Sequence, residues 1–463
     1  ENASGASALN IVNSGGNANV VGANITSATG APAVNLQTNT GTTTFNTLNI
    51  TSQNGTALAA NNAGNLAING AVDGNVNVNQ GGVINAVNGT AIQIANTNVN
   101  INLQSVSSSN ASTGINLVNT PGLFAVFGNG TAASAGTIQN DTTGIFLQNT
   151  GQVGFQWMNL NANGVGIQAI GVSDLVVSNS AITNSLGFGI NAQNTQTMSV
   201  VASTFSGNGG SNINATFSQL GSYNYSFSGN SLTSGAGGNI VMAVLSGGEG
   251  STMNFSDQGD TITNTSTGTA GISLSCNGNL TATVNQSLFT VSGGGNTGLF
   301  VNNASTSGMS TITMSNSGFQ SNGGTDTAAR IVTLGPSQIN LTGNTINWGA
   351  ANGMGFRMSL AASSTVNLAS NTLTDNAGGA TGFLFDSLSG PGNVTINNNL
   401  LTLFSGGTDR GIIFTSITNS ALPSPTLQLS GTNDNRIYNA ATPFSVPFGT
   451  TTGGIFINGT VEN

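Results

Sequence analysis

No histidine and no lysine occur anywhere in this chain of 463 residues, and its one cysteine is Cys276. Four arginines (Arg330, Arg357, Arg410, Arg436) stand against 13 acids, giving a net charge of −9, and charged residues make up 4% of the chain. Each absence removes a class of chemistry. A His-ligated or Cys-clustered metal centre cannot be built. Nor can an imidazole proton relay or a lysine nucleophile. Four scattered Arg make neither a phosphate-neutralising stripe for nucleic acid nor a basic patch for anionic lipid, so neither partner is expected. The longest apolar run, near Leu123 to Phe127, falls far short of the ~18 residues that cross a bilayer as a helix, so no membrane insertion is expected.

What the chain does contain is 67 Gly, 70 Asn and 37% hydrophobic residues, with a mean hydropathy of +0.09. Disordered segments combine low hydrophobicity with high net charge. Here the apolar residues are too many to leave in water, so their spacing decides the fold.

One pattern recurs from end to end: a small residue, then apolar, any, apolar, often followed by Asn. It reads SALNIVN (7–13), PAVNLQT (32–38), TALAANN (56–62), TAIQIAN (90–96), TGINLVN (113–119), TGIFLQN (143–149), and so on through RGIIFTS (410–416) and GGIFING (453–459). Successive copies lie about 22 to 34 residues apart, with one longer interval at the end, a spacing typical of solenoids. From about residue 173 a second pattern is interleaved, an alternating apolar pair, a polar break and another pair, as in LVVSNSAITN and INLTGNTINWG. Each repeat therefore holds about three short period-2 strands separated by Asn, Gly, Ser and Thr. No segment keeps a 3.6-residue period for three turns.

These features predict an all-β chain, a parallel β-helix of about 17 coils with three short strands per coil, forming a rod roughly 80 Å long at ~4.8 Å per coil. Asn at strand ends suits left-handed backbone, and stacked amides can bond from coil to coil. The strand–Asn–strand pattern resembles the right-handed parallel β-helix repeats of the pectate-lyase-like superfamily, including bacterial surface adhesins and autotransporter passengers. That resemblance spans nearly the whole chain. It implies the fold and says little of function, because the architecture hosts lyases, hydrolases, tailspikes and adhesins.

Composition divides the expected helix. Residues 1–120 are aromatic-poor, with Phe45 alone, whereas 121–416 are rich in Phe; together they are read as one continuous helix. Residues 417–463 contain Pro423, Pro425, Pro443 and Pro447, and are expected to be irregular with a final strand. The coil motifs near both ends carry no evident cap. This predicts either an excised segment of a giant adhesin or ends that stack on neighbouring subunits, with Gly453, Gly454, Ile455, Phe456 and Ile457 as the assembly strand.

Chemistry is sought among the acids. The polygalacturonase-like members of the resembled superfamily would need His and Lys, which this chain lacks. Asp257 and Asp260, three apart in FSDQGD, are a weak candidate for a calcium ion, against the reading of a turn with two local Asx caps. Arg330, Arg357, Asp386, Asp409 and Arg410 come from consecutive coils near the same motif. They are read as a charge ladder that fixes coil register, with a lyase-like Arg base beside an acid as the alternative. Cys276 is expected to be a small buried hydrophobe.

No catalytic residue, cofactor or metal is therefore assigned, and the chain is read as non-enzymatic. The expected function is an extracellular structural or adhesive β-helical rod at a bacterial cell surface. It would self-associate head to tail, with a glycan or host surface as target. The alternative is a carbohydrate-active β-helix enzyme or a tailspike-like glycan binder.

Overall fold

The computed structural model describes residues 2–3, 5–69, 81–233, 236–389, 392–404, 408–415, 417–418, 427–430, 435–445, 455–457 and 460–462. Every regular element among them is a β-strand. The strands wind as a right-handed parallel β-solenoid of about 14 turns. That is fewer than the 17 expected from the motif copies.

The chain divides into two compact units, Glu1–Ala215 and Thr216–Asn463. In the first unit, one inward column of the first strands runs Val34, Leu58, Ile92, Ile115, Ile145, Ile167, Ile190. Each residue pairs in register with the next, and all are buried. In the second unit the equivalent column is Ile240, Ile272, Leu299, Ala329, Phe356, Phe383, Ile412. Its third strands stack Ile262, Phe289, Phe319, Ile346, Leu373 and Leu401. Aromatic rings in the core continue the columns: Phe356 and Phe383 lie with centroids 5.6 Å apart and planes 1° from parallel, and Phe385 and Phe414 stack at 4.3 Å. Period-2 alternation sends these side chains inward and Asn, Ser and Thr outward, so the strands read the pattern directly.

Two kinds of asparagine position emerge. The first follows the first strand. Asn96, Asn119 and Asn149 have φ of 48°, 52° and 51°, the left-handed region where a short amide side chain lowers the steric cost. Their exposed amides bond along the stack, Asn119 Nδ2 to Asn96 Oδ1 at 2.9 Å and Asn149 Nδ2 to Asn119 Oδ1 at 3.1 Å.

The second kind forms a buried ladder between the second and third strands. There a left-handed residue precedes the ladder members from Asn230 to Asn399, for example Gly343 (φ 67°) before Asn344 and Ser370 (φ 56°) before Asn371. In the second unit the ladder is Asn230, Asp260, Ser287, Ser317, Asn344, Asn371, Asn399, Asn435, all buried. The backbone N–H of each donates to the side-chain oxygen of the next, at 2.7 to 3.3 Å. A two-residue turn leaves a buried N–H without a strand partner, and this column supplies the missing acceptor.

Cys276 is buried, its thiol 3.7 Å from the Asn279 carbonyl, and burial pushes its pKa up to about 11. Because the thiolate is the nucleophile, a thiol-reactive chromogen should leave the native protein unlabelled over minutes at pH 8 and react at once in denaturant. Immediate native labelling would contradict the burial.

The residues expected to assemble subunits fall at the margin of the description. Gly453 and Gly454 lie outside it. Ile455–Ile457 is a strand that pairs in parallel with Asn435–Tyr438 and antiparallel with Thr460–Glu462.

Candidate functional site

The acids fall into two groups. Nine of them have described side chains, and six of these (Asp141, Asp257, Asp260, Asp326, Asp375, Asp409) are buried. These six serve as internal acceptors. Asp141 Oδ1 takes the Ala111 N–H at 2.6 Å, and Asp326 takes the Asn296 N–H at 2.8 Å and the Ser321 hydroxyl at 2.5 Å. Asp375 takes the N–H of Ala377 at 3.1 Å and of Gly378 at 2.8 Å. Asp409 accepts the N–H groups of Gly379, of Ala380 at 3.0 Å and of Phe404 at 2.6 Å. Burial raises the pKa of Asp141, Asp326 and Asp375, and the charge of Asp409 adds to the rise at Asp375.

Asp257 and Asp260 come together, but not as a turn of two local caps. Asp257 is in the strand Thr252–Gln258 and points inward, where the Ser287 hydroxyl donates to its Oδ2 at 2.6 Å. Asp260 is the ladder residue of the same turn, accepting the N–H of Asn230 from the preceding turn at 2.7 Å and its amide Nδ2 at 3.1 Å. Asp257 Oδ1 is buried and finds no donor. Burial first, then the facing charge of Asp260, drives the Asp257 pKa well above the ordinary carboxylate value; burial also raises that of Asp260. Two facing buried carboxylates resist ionising together, which favours a proton on Asp257. Calcium takes six to eight oxygens; of the four here, Asp257 Oδ2 serves Ser287 and both Asp260 oxygens serve Asn230. Among the described residues no group of three or more His, Cys, Asp or Glu side chains is placed to hold a metal.

The five ladder charges separate. Arg330 and Arg357 are direct register partners in the neighbouring strands Thr327–Thr333 and Met354–Leu360, both on the outward face. Arg357 Nε donates to Asp386 Oδ2 at 2.5 Å, with both side chains about one-third exposed. Asp409 is instead a buried cap, and Arg410 is an exposed register partner of Thr381.

Asp386 reaches Arg357 because of a local irregularity. Met358 pairs with Phe385 and Ser359 with Ser387, so Asp386 is one residue extra in its strand. A bulge of this kind re-aims a side chain at the expense of ladder regularity. The signal is in the sequence: FLFDSL (383–388) is one residue longer than the equivalent FRMSL (356–360).

On the other side of the pair, the Arg330 guanidinium carbon lies 5.6 Å from the centroid of the Phe300 ring, and Phe300 is the in-register neighbour of Arg330. Sequence reasoning passed over Phe300, which reads there as one more Phe of a Phe-rich stretch. The result is an outward column Ser273, Phe300, Arg330, Arg357, flanked by Ser359 and Ser387, whose hydroxyls are 2.8 Å apart.

No family model, curated protein or solved structure matches this chain.

Proposed function

We propose that this chain is a non-enzymatic, extracellular structural or adhesive β-solenoid, built to present neutral polar faces and to self-associate at a bacterial surface. The resemblance to pectate-lyase-like and adhesin repeats belongs to the same proposal. What carries the reading is the use made of the polar residues. Six of the nine described carboxylates are turned inward, five of them as backbone acceptors, where a hydrolase would gather them in a groove. The outward columns are amides bonded to their own counterparts in the next turn: Asn35 to Asn10 at 2.7 Å, Asn49 to Asn24 at 2.8 Å, Asn254 to Asn224 at 2.8 Å. Like charges at the same positions would repel across ~4.8 Å in every turn, whereas amides attract. Low charge is thus a condition of stacking, and the small exposed polar groups give a surface that hydrates well.

The second reading, a carbohydrate-active enzyme, draws on the exposed Arg357–Asp386 pair. Glycoside hydrolysis uses two carboxyl groups roughly 5 to 9.5 Å apart, and lyase chemistry needs a base at the sugar ring. The readings separate in one experiment. The purified protein, incubated with a panel of neutral and acidic polysaccharides, should release no reducing ends and no unsaturated uronic acid. At rising concentration, light scattering and negative-stain microscopy should show end-to-end assemblies. Turnover that disappears in Asp386→Asn would establish the enzyme, and dispersed single particles at every concentration would remove self-association.

A further inference from the structure

We propose that the column Phe300, Arg330, Arg357 and Asp386 binds a pyranose unit carrying a single oxyanion, the carboxylate or sulfate ester of an acidic polysaccharide. This rests on the adhesive reading and gives it a ligand.

The argument begins with scarcity. The chain has four basic residues, and two of them occupy directly opposed positions on adjacent outward strands. Like charges placed so are destabilising. Elsewhere in the second unit the equivalent position is neutral, as at Val241, Ser273 and Leu384. The bulge then delivers one carboxylate, Asp386, to Arg357. Two positive charges and one negative leave a net charge of +1. Among the described residues Arg330 has no carboxylate partner, and its guanidinium is held beside Phe300 while the side chain stays exposed.

That arrangement selects a ligand. A guanidinium binds a carboxylate or sulfate through two parallel N–H···O bonds. A local charge of +1 matches one anionic group, whereas the chain's overall −9 repels a dense polyanion. The half-buried Phe300 ring offers the C–H face of a pyranose an apolar contact, and Ser359 and Ser387 offer hydroxyl partners to its OH groups. A peptide carboxylate would use the charge but neither the ring nor the hydroxyls, so a glycan is the better fit.

Binding of the full chain is measured by calorimetry with hyaluronan (one carboxylate per disaccharide), κ-carrageenan (one sulfate per disaccharide), neutral dextran and poly-L-glutamate. Hyaluronan, κ-carrageenan or both should bind, and which of them does identifies the oxyanion. Arg330→Ala, an exposed site whose far-UV CD should be unchanged, should weaken binding about 10-fold or more. Arg330→Lys should recover only part, because it keeps the charge and loses the fork. Asp386→Asn raises the local charge and should tighten binding by about threefold. The proposal is overturned if neither acidic glycan binds, if dextran or poly-L-glutamate binds as well, if Arg330→Ala is silent, or if Asp386→Asn weakens binding. Cleavage of a bound glycan, read as falling viscosity, would overturn the non-enzymatic reading and leave the site standing. Absence of binding removes the site and leaves self-association to be judged by scattering.

Discussion

Asn371→Ala should destabilise the protein by about 2–4 kcal/mol, read as a lower urea midpoint, while Asn371→Ser should lose less than half of that. Asn371 Oδ1 accepts both the Asn344 N–H and the Asn344 Nδ2, each at 3.0 Å, and its own Nδ2 donates to the Leu341 carbonyl at 2.8 Å. The site is fully buried, so water cannot replace the lost acceptor. Alanine therefore strands a backbone N–H in an apolar surround, and a buried orphan of this kind costs about 1–3 kcal/mol before the small void left by the side chain is added. Serine keeps an acceptor in the right place, as Ser287 and Ser317 do in the same column at 3.3 and 3.2 Å. Hydrogen exchange gives the local test, since the Asn344 amide should lose protection while distant turns keep theirs, as nearest-neighbour stacking requires. An alanine variant as stable as the parent would show that the ladder fills space and does no more.

Acidification from pH 7.5 to about 4.5 should raise the urea midpoint, and Asp257→Asn should raise it at pH 7.5 and flatten the dependence. The direction follows from the buried acids. Asp141, Asp257, Asp260, Asp326 and Asp375 all have folded-state pKa values raised by burial. In the unfolded chain an Asp titrates near 3.9. A raised folded value means the native state binds more protons between that point and neutrality. Stability from these groups is thus full below the unfolded value and is lost as pH rises through the folded one. Asp257 has the largest effect, because burial and the facing Asp260 act in the same direction. Asparagine reproduces its protonated form, with an NH₂ to donate to Asp260 and an oxygen for the Ser287 hydroxyl. A midpoint that climbs with pH over this range, or an Asp257→Asn protein weaker than the parent at pH 7.5, would contradict this account of the pair.

The charge pattern had two physical causes, and only one was legible beforehand. That outward columns must be neutral follows from stacking alone. That most of the described acids lie inside does not, because a lone Asp between polar neighbours, as in Asn-Asp-Thr at 140–142, reads as surface. Its inward placement depends on which N–H the turn leaves without a partner, and that is fixed by the turn above or below. Asp257 and Asp260 were visible as a pair three apart, but the same spacing allows an exposed turn, a metal site or a buried shared proton. The decision came from the strand reaching Gln258, which points Asp257 inward, and from Ser287 thirty residues away.

The repeat, the period-2 strands and the inward apolar columns were legible in the chain alone, because they follow from spacing. Contacts between turns settled which polar residues lie inside and which charges meet. Arg330 and Arg357 are register partners and Arg357 pairs with Asp386, while Asp409 is buried and Arg410 lies opposite Thr381, although all five come from the same motif region. In a solenoid a residue's neighbours are one turn away, and one extra residue in a strand changes which side chains they are. Register between turns is therefore the quantity that composition and spacing leave open.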